Sequence, residues 1–454
     1  MKKCRAAGDA YDRFCAIIGC MKKLLPNGAE KEVFHMTRIT MEKGAACVTQ
    51  RLLDAGYVAY VVGGCVRDAL LGKEPNDWDI CSSALPQETI ALFGEENCIP
   101  TGLKHGTVTV KMDGGFYEVT TFRTDGEYTD GRHPDRVDFV ADVCADLARR
   151  DFTINAMAYN DKEGLVDPFG GRDDLLVNRI VRAVGDAPTR FSEDALRVMR
   201  LFRFAARYGL SIEERTREGA IALRENLRRV SGERTREELF KLLETAKPGG
   251  YLPYEIACVI MPEMEKISAA RYAQALDCVD ALRPDAELRL AALRSPLCAK
   301  DDMRAARAVL DRLRCSNKTA ERVSTMLAGV LEVYDENCAA LRVRARRELG
   351  RIGMEAIEDI LTLADVICDP ADAKKIGEFA AMTREANEKG LCCSMKELAV
   401  GGADVMRVLG SGAGPKVGRV LSALLDAVLA DELPNERNAL LRAAKDMVSE
   451  GKEK

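Results

Sequence analysis

The apolar run Val58 to Val62, followed by Gly63-Gly64-Cys65-Val66-Arg67-Asp68 and then by Asp77-Trp78-Asp79-Ile80, constrains this chain more than any other feature. The run reads as a buried strand, and the two glycines let the backbone turn tightly enough for amide N–H groups to approach a polyphosphate. Arg67 adds positive charge beside those amides. Asp77 and Asp79 stand two positions apart, so in an extended chain both carboxylates point to one side. Oxygen ligands on one face suit Mg²⁺, and a pair of such ions activates a 3′-hydroxyl while holding a leaving pyrophosphate. Downstream, Tyr117-Glu118-Val119-Thr120-Thr121-Phe122 reads as a further strand that offers Glu118 as a third carboxylate. Paired glycines and Asp-x-Asp are each common turn chemistry. Their joint occurrence is what points to metal-assisted transfer of a nucleotidyl group.

At 454 residues there is room for several domains, and 47% apolar with 31% charged residues is globular composition. No stretch reaches the roughly 18 apolar residues of a membrane span, and the short patch after Met1-Lys2-Lys3 is too brief for a secretory leader. A cytoplasmic location is therefore expected, with no membrane contact. The 16 cysteines contain no C-x-x-C pair, which argues against a zinc knuckle or a redox dithiol and for small buried thiols in a reducing compartment. The three histidines all lie at or before His133, so histidine-dependent metallohydrolase chemistry in the C-terminal two-thirds is excluded. A net charge of −5 argues against a generic nucleic-acid binder. Between Arg149 and Arg236, however, 17 Arg and one Lys stand against 14 acidic residues, and that preference for Arg suits forked recognition of phosphates or base edges.

Patterning along the chain predicts an α+β fold. An amphipathic helix runs from Ile39 towards Gly56, and strands over 59–62, 78–81, 107–111 and 116–122 make a small mixed β-sheet. Thr124 to Val137, rich in Gly and Asp, reads as a mobile loop beside the site. After Asp167-Pro168-Phe169-Gly170-Gly171 the chain turns helical and stays so.

Phe191-Ser192-Glu193-Asp194-Ala195-Leu196-Arg197 reads as a helix start capped by Ser192. Val198, Leu201, Phe202 and Ala205 form its core stripe, and Arg197, Arg200, Arg203 and Arg207 lie off that stripe. Asp194 and Arg197, one turn apart, offer an acceptor and a donor fork that match the Watson–Crick edge of cytosine or adenine but not of uracil or guanine. An ordinary surface ion pair is the competing reading.

Together these motifs resemble the class II tRNA nucleotidyltransferases, the CCA-adding enzymes and their bacterial poly(A) polymerase relatives, over about residues 40 to 450. Gly63-Gly64-x-Val66-Arg67-Asp68 with Asp77-x-Asp79 resembles the family's catalytic motif, Arg149 to Ala156 its ribose motif, and Asp167 to Gly171 its hinge. Glu193-Asp194-x-x-Arg197 resembles the amino-acid template that selects CTP and ATP, and Gly232 to Leu239 the motif that steadies it. Val400 to Asp404, Gly414 to Arg419 and Asn435-Glu436 resemble the tRNA-binding tail, where Pro415 opens a helix with Lys416 and Arg419 near its start.

The resemblance implies Mg²⁺ held by Asp77 and Asp79. It also implies nucleotide contacts from Gly63, Gly64, Arg67, Arg150, Asp194, Arg197, Arg200 and Arg203, and a supporting role for His105. The implied substrates are CTP, ATP and a tRNA engaged at its 3′ end and acceptor and elbow region, with no protein partner. The implied division is an appendage over 1–35, a nucleotidyltransferase head over 36–188, an all-helical neck over 189–250, a body over 251–390 and a tail over 391–454. Poly(A) synthesis, CC-only addition and an inactive RNA-binding scaffold are the alternatives.

Overall fold

Ala59–Val62 forms strand β1, buried along its whole length, and a sheet is built outward from it. The computed structural model describes residues 38–126, 136–297, 303–333, 338–369, 372–410 and 412–449. The appendage over 1–35 and most of the expected loop between Thr124 and Val137 lie outside the described residues. The other strands are β2 (Ile80–Ser82), β3 (Cys98–Gly102), β4 (Thr107–Met112), β5 (Gly115–Thr121), β6 (Arg123–Asp125), β7 (Val137–Phe139), β8 (Ala158–Asn160), β9 (Gly164–Val166), β10 (Ile180–Val181) and β11 (Ser211–Ile212). Seven of them join in the order β3-β4-β5-β2-β1-β8-β9. Only β2 and β5 run parallel in that sheet, which makes it mixed as expected.

Side chains of β5 alternate strictly: Tyr117, Val119 and Thr121 are buried while Phe116 and Glu118 are exposed, the period-two signature of a sheet with one wet face. The helix Lys43–Asp54 packs on β1, β4 and β5 through Val48 and Leu52, and the hydroxyl of Tyr117 donates to Glu42 just before it. A second apolar cluster joins Tyr60, Val62, Cys81 and Phe122 to Val143 and Leu147 of the helix Val143–Ala148.

The remainder is helical apart from the short pair β10 and β11, so after Gly171 the chain is not helical throughout as expected. The chain forms two compact units, residues 1–201 with 208–223, and residues 202–207 with 224–454. The helix Leu196–Tyr208 therefore contributes to both. In the first unit, β10 pairs in parallel with β11, joining Ile180 to Ser211.

The second unit is a run of helices whose ends are set by recognisable caps: Ser231, Ser268 and Asp285 each accept from amides of the following turn. Buried Arg289 donates to the carbonyls of Leu243, Thr245 and Leu282, and Arg322 ties Asp285, Glu287 and Asp359 together. In the tail, Pro415 opens the helix Pro415–Leu429 as expected. Asn435 bridges the Ala399 amide and the Glu397 carbonyl at 2.9 Å each, and Asp404 forms a forked pair with Arg437. These two motif residues hold the tail's fold together, whereas Lys416 and Arg419 are exposed. No described helix is long and apolar enough to cross a membrane.

The Asp167-Pro168-Phe169-Gly170-Gly171 turn has a specific chemistry. The Asp167 carboxylate accepts from the amides of Gly171 at 2.7 Å and Arg172 at 2.9 Å, Gly170 is left-handed at φ 72°, and a Cβ on Gly171 would press into the Thr153 carbonyl. Gly171→Ala is expected to cost the first unit about 2 kcal/mol through overpacking against backbone that cannot yield. Chemical denaturation of the variant checks this; an unchanged midpoint would refute the close approach.

Candidate active site

The carboxylates come together as the spacing requires. Asp77 and Asp79 lie in the extended lead-in to β2, which itself begins at Ile80, and exposure alternates from Asp77 through buried Trp78 and exposed Asp79 to buried Ile80. Parallel pairing of Ile80 with Val119, carried back one residue, sets Asp79 beside Glu118. Asp79 reaches solvent at the open face of the sheet but is recessed among protein atoms on its other sides. That recess, and then the negative charges of Asp77 and Glu118, push its carboxyl up to about 6 against the pull of Arg150. Asp77 and Glu118 thus place further negative charge beside Asp79 on one face.

The glycine turn precedes this face. Gly63 sits at φ 80°, ψ −121°, a conformation L side chains rarely adopt, and a Cβ there would approach a terminal nitrogen of Arg150 at 2.9 Å. The amide of Gly63 donates to Met157, and Gly64 opens the helix Gly64–Leu70.

Arg67 is placed differently from a side chain reaching into solvent. It is 6% exposed, pairs with Asp68 at 3.0 Å, donates to Asn155, and lies 4.6 Å from the centre of the Tyr208 ring, whose hydroxyl donates to Asp68 at 2.9 Å. Asn155 in turn donates to Asp151 at 3.0 Å, and Asp151 accepts from Arg200 at 2.8 and 2.6 Å. A continuous polar chain thus links the turn after β1 to the helix Leu196–Tyr208. Burial by itself would raise the Asp151 carboxyl, but Arg200, Asn155 and Arg197 outweigh it and hold it at about 2.

Arg150 is anchored by Asp146 at 3.3 Å, which also holds Arg149 at 2.9 Å. Asp146, Asp151, Asn155 and Tyr208 are thus supports that reading the motifs as ligand contacts did not single out. The first three stand within or just before the Arg149–Ala156 motif, and nothing local marks Tyr208.

The segment expected to select the base differs in one respect from that expectation. Ser192 does not cap a helix: it lies inside the helix Ala187–Glu193 and its hydroxyl donates back to Pro188 at 2.9 Å. Asp194, in extended conformation, breaks the chain there and accepts from the Leu196 amide at 3.0 Å, so it starts the next helix itself. Arg197 pairs with Glu193 and donates to the carbonyls of Arg190 at 3.0 Å and Arg149 at 3.2 Å. Arg203 belongs to the second unit, where it pairs with Glu238 and is 6% exposed.

The Asp151 carboxyl titrates below an unfolded aspartate, which has a pKa of about 3.9. Its stabilisation is therefore complete above about pH 4 and lost as pH falls towards 2. Asp151→Asn is expected to cost about 2 kcal/mol at neutral pH, with the two proteins converging in acid. Urea titrations at a series of pH values check this; equal stability at pH 7 would contradict the ion pair's role.

Comparison with known proteins agrees with this geometry. Residues 59–182 match the Poly A polymerase head domain and residues 293–444 the tRNA nucleotidyltransferase domain 2. The chain is 36% identical to the CCA-adding enzyme of Geobacillus thermodenitrificans over 87% of its own length and 94% of the relative's. It is 34% identical to that of Lactiplantibacillus plantarum over 92% and 99%. A crystal structure of the Bacillus stearothermophilus CCA-adding enzyme in complex with CTP superposes with a TM-score of 0.72 at 31% identity, covering 91% of this chain and 100% of that one. The Thermotoga maritima enzyme complexed with tRNA, at 22% identity and a TM-score of 0.64, shares the fold. The chain belongs to the CCA-adding enzymes, within the class II tRNA nucleotidyltransferases.

Proposed function

We propose that this chain adds C, C and A in turn to the 3′ end of tRNA from CTP and ATP, releasing pyrophosphate each time, on the face that carries Asp77, Asp79 and Glu118. The observation that carries this reading is the gathering of these carboxylates on one face, where burial, reinforced by the charges of Asp77 and Glu118, raises the Asp79 carboxyl to about 6. Among the described residues no three acidic, thiol or imidazole groups form a metal cage. An open pair of carboxylates is nonetheless how Mg²⁺ is commonly held, with phosphate oxygens and water completing its octahedron. Asp77 and Asp79 would hold it. When bound, Mg²⁺ supplies activation of the 3′-hydroxyl and neutralises charge on the leaving pyrophosphate.

The protein's own groups position the reactants. Arg150, steadied by Asp146, stands next to the Gly63 turn and supplies positive charge that acts on Asp79. Asp194 and Arg197 present the acceptor and the fork for cytosine and adenine, with Arg197 aimed by Glu193 and two carbonyls. Arg200 and Arg67 act through the buried chain that joins them. We place the enzyme in the cytoplasm and keep the five-part division into appendage, head, neck, body and tail as the functional plan. Poly(A) synthesis is the second reading, favoured by the head-domain match; the tRNA nucleotidyltransferase match over 293–444 weighs against it.

Assays with labelled nucleotides on tRNA ending before CCA and after CC, and on unrelated RNA, decide between these readings. Two C's and one A followed by a stop are expected on tRNA; long A-tails on either RNA would transfer the assignment to poly(A) synthesis. Asp77→Ala and Asp79→Ala should each remove detectable incorporation, and wild-type extension by either would defeat the assignment. Because protons and Mg²⁺ compete for Asp79, incorporation should fall on the acid side of about pH 6 at low Mg²⁺. That limb should move to lower pH as Mg²⁺ rises, and a limb indifferent to Mg²⁺ would remove Asp79 from the ligand set.

A further inference from the structure

Phe116 is 62% exposed on the catalytic face. It is directly paired across the sheet with exposed Lys111 of β4, just as Glu118 is paired with Thr109. Cross-strand partners share a face, so Lys111, Phe116, Thr109 and Glu118 form one exposed surface. Carrying the Ile80 to Val119 register back three residues, through the lead-in to β2, brings Asp77 towards Phe116. Asp77, Phe116, Lys73 and Arg38 also line a single cleft of about 680 Å³, within the usual size of a small-ligand site. The neighbouring Tyr117 is buried and bonded to Glu42. Phe116 therefore spends an aromatic ring on water next to a catalytic carboxylate, while the ring beside it serves the core.

We propose that Phe116 is the stacking platform for the 3′-terminal base of the RNA being extended, with Lys111 at the adjoining phosphate. This rests on the assignment of Asp77 and Asp79 as the catalytic pair. The attacking hydroxyl must lie at those carboxylates, so its own base lies within a nucleotide's reach, and Phe116 is an exposed ring that shares a cleft with Asp77. Stacking suits the task. The terminal base changes after every addition, and a π-face accepts any base, whereas hydrogen-bonded readout would favour one. The surrounding acids also repel the RNA backbone, so affinity at this end must come from a contact that charge does not weaken, helped by Lys111, Lys73 and Arg38 at the rim. Phe116 thus holds the growing end, and Asp194 with Arg197 select what is added to it.

The test uses full-length protein, with tRNA transcripts for kinetics and the same tRNA carrying 2-aminopurine at its 3′ end for binding. Phe116→Ala should raise KM for RNA about tenfold, within the range for loss of one stacked base, while KM for CTP and the rate at saturating RNA stay near wild type. Phe116→Trp should restore the wild-type KM, which separates stacking from a fold defect. Lys111→Gln should raise the RNA KM and flatten its salt dependence. The 2-aminopurine fluorescence quenched by wild-type protein should return in Phe116→Ala. A wild-type RNA KM together with full quenching in Phe116→Ala would overturn the subsite while leaving the catalytic assignment intact. Failure of the wild-type protein to incorporate CTP or ATP would defeat that assignment instead, and the quenching arm would still score the stack.

Discussion

Asp151 is the group on which the geometry of the head most depends. A carboxylate buried so fully is costly unless every lone pair is engaged, and this one is engaged by Asn155 on one side and Arg200 on the other. Because Asn155 passes the connection on to Arg67, one buried charge fixes the orientation of two arginines that start on different elements. Their guanidinium planes are set by the interior of the protein before any ligand arrives. Preorganisation of this kind lowers the ordering cost of binding a flexible triphosphate.

The open face of the sheet works on the opposite principle. Asp77, Asp79 and Glu118 are held near one another, and burial together with the charges of its two neighbours raises the Asp79 carboxyl. Interior charges are balanced within the protein, and those at the surface are left to be balanced by what binds. In β5 the division runs through the strand itself, whose alternate residues are buried or exposed.

Period-two alternation made this face legible from sequence, since Asp79 and Glu118 each sit between apolar residues that must be buried and Asp77 stands two positions before Asp79 across buried Trp78. The glycine turn was legible because Gly63 needs a backbone conformation other residues avoid, and the helical remainder because its apolar spacing extends over many turns. Strands such as β8 and β9, three residues long, carry too little periodicity to announce themselves. The cap of the helix Leu196–Tyr208 falls two residues beyond the one expected because Ser192 and Asp194 are both good capping residues. What separated them was that Ser192 lies four residues after Pro188 and bonds backward, leaving Asp194 to turn the chain. Arg203 with Glu238 and Arg67 with Asn155 are pairs whose partners lie far away in sequence. No local pattern distinguishes such an arginine from one reserved for a phosphate.

The helix Leu196–Tyr208 has a consequence for the order in which the protein is made. Neither compact unit is a single stretch of chain: the first is completed by residues 208–223, and the second claims residues 202–207 from within the sequence that precedes them. Strand β10 has left the ribosome well before its partner β11 exists, so the head waits for Ser211 and Ile212 before that pairing forms. By then the stretch 202–207 has also emerged, ahead of Glu238, which pairs with its Arg203. During synthesis a helix strongly amphipathic along its core stripe therefore stands with one end committed and the other awaiting its partners. The position of this helix in the chain ties completion of the first unit to the start of the second: a cut after residue 201 would strip the first unit of 208–223, and a cut after residue 223 would strip the second of 202–207.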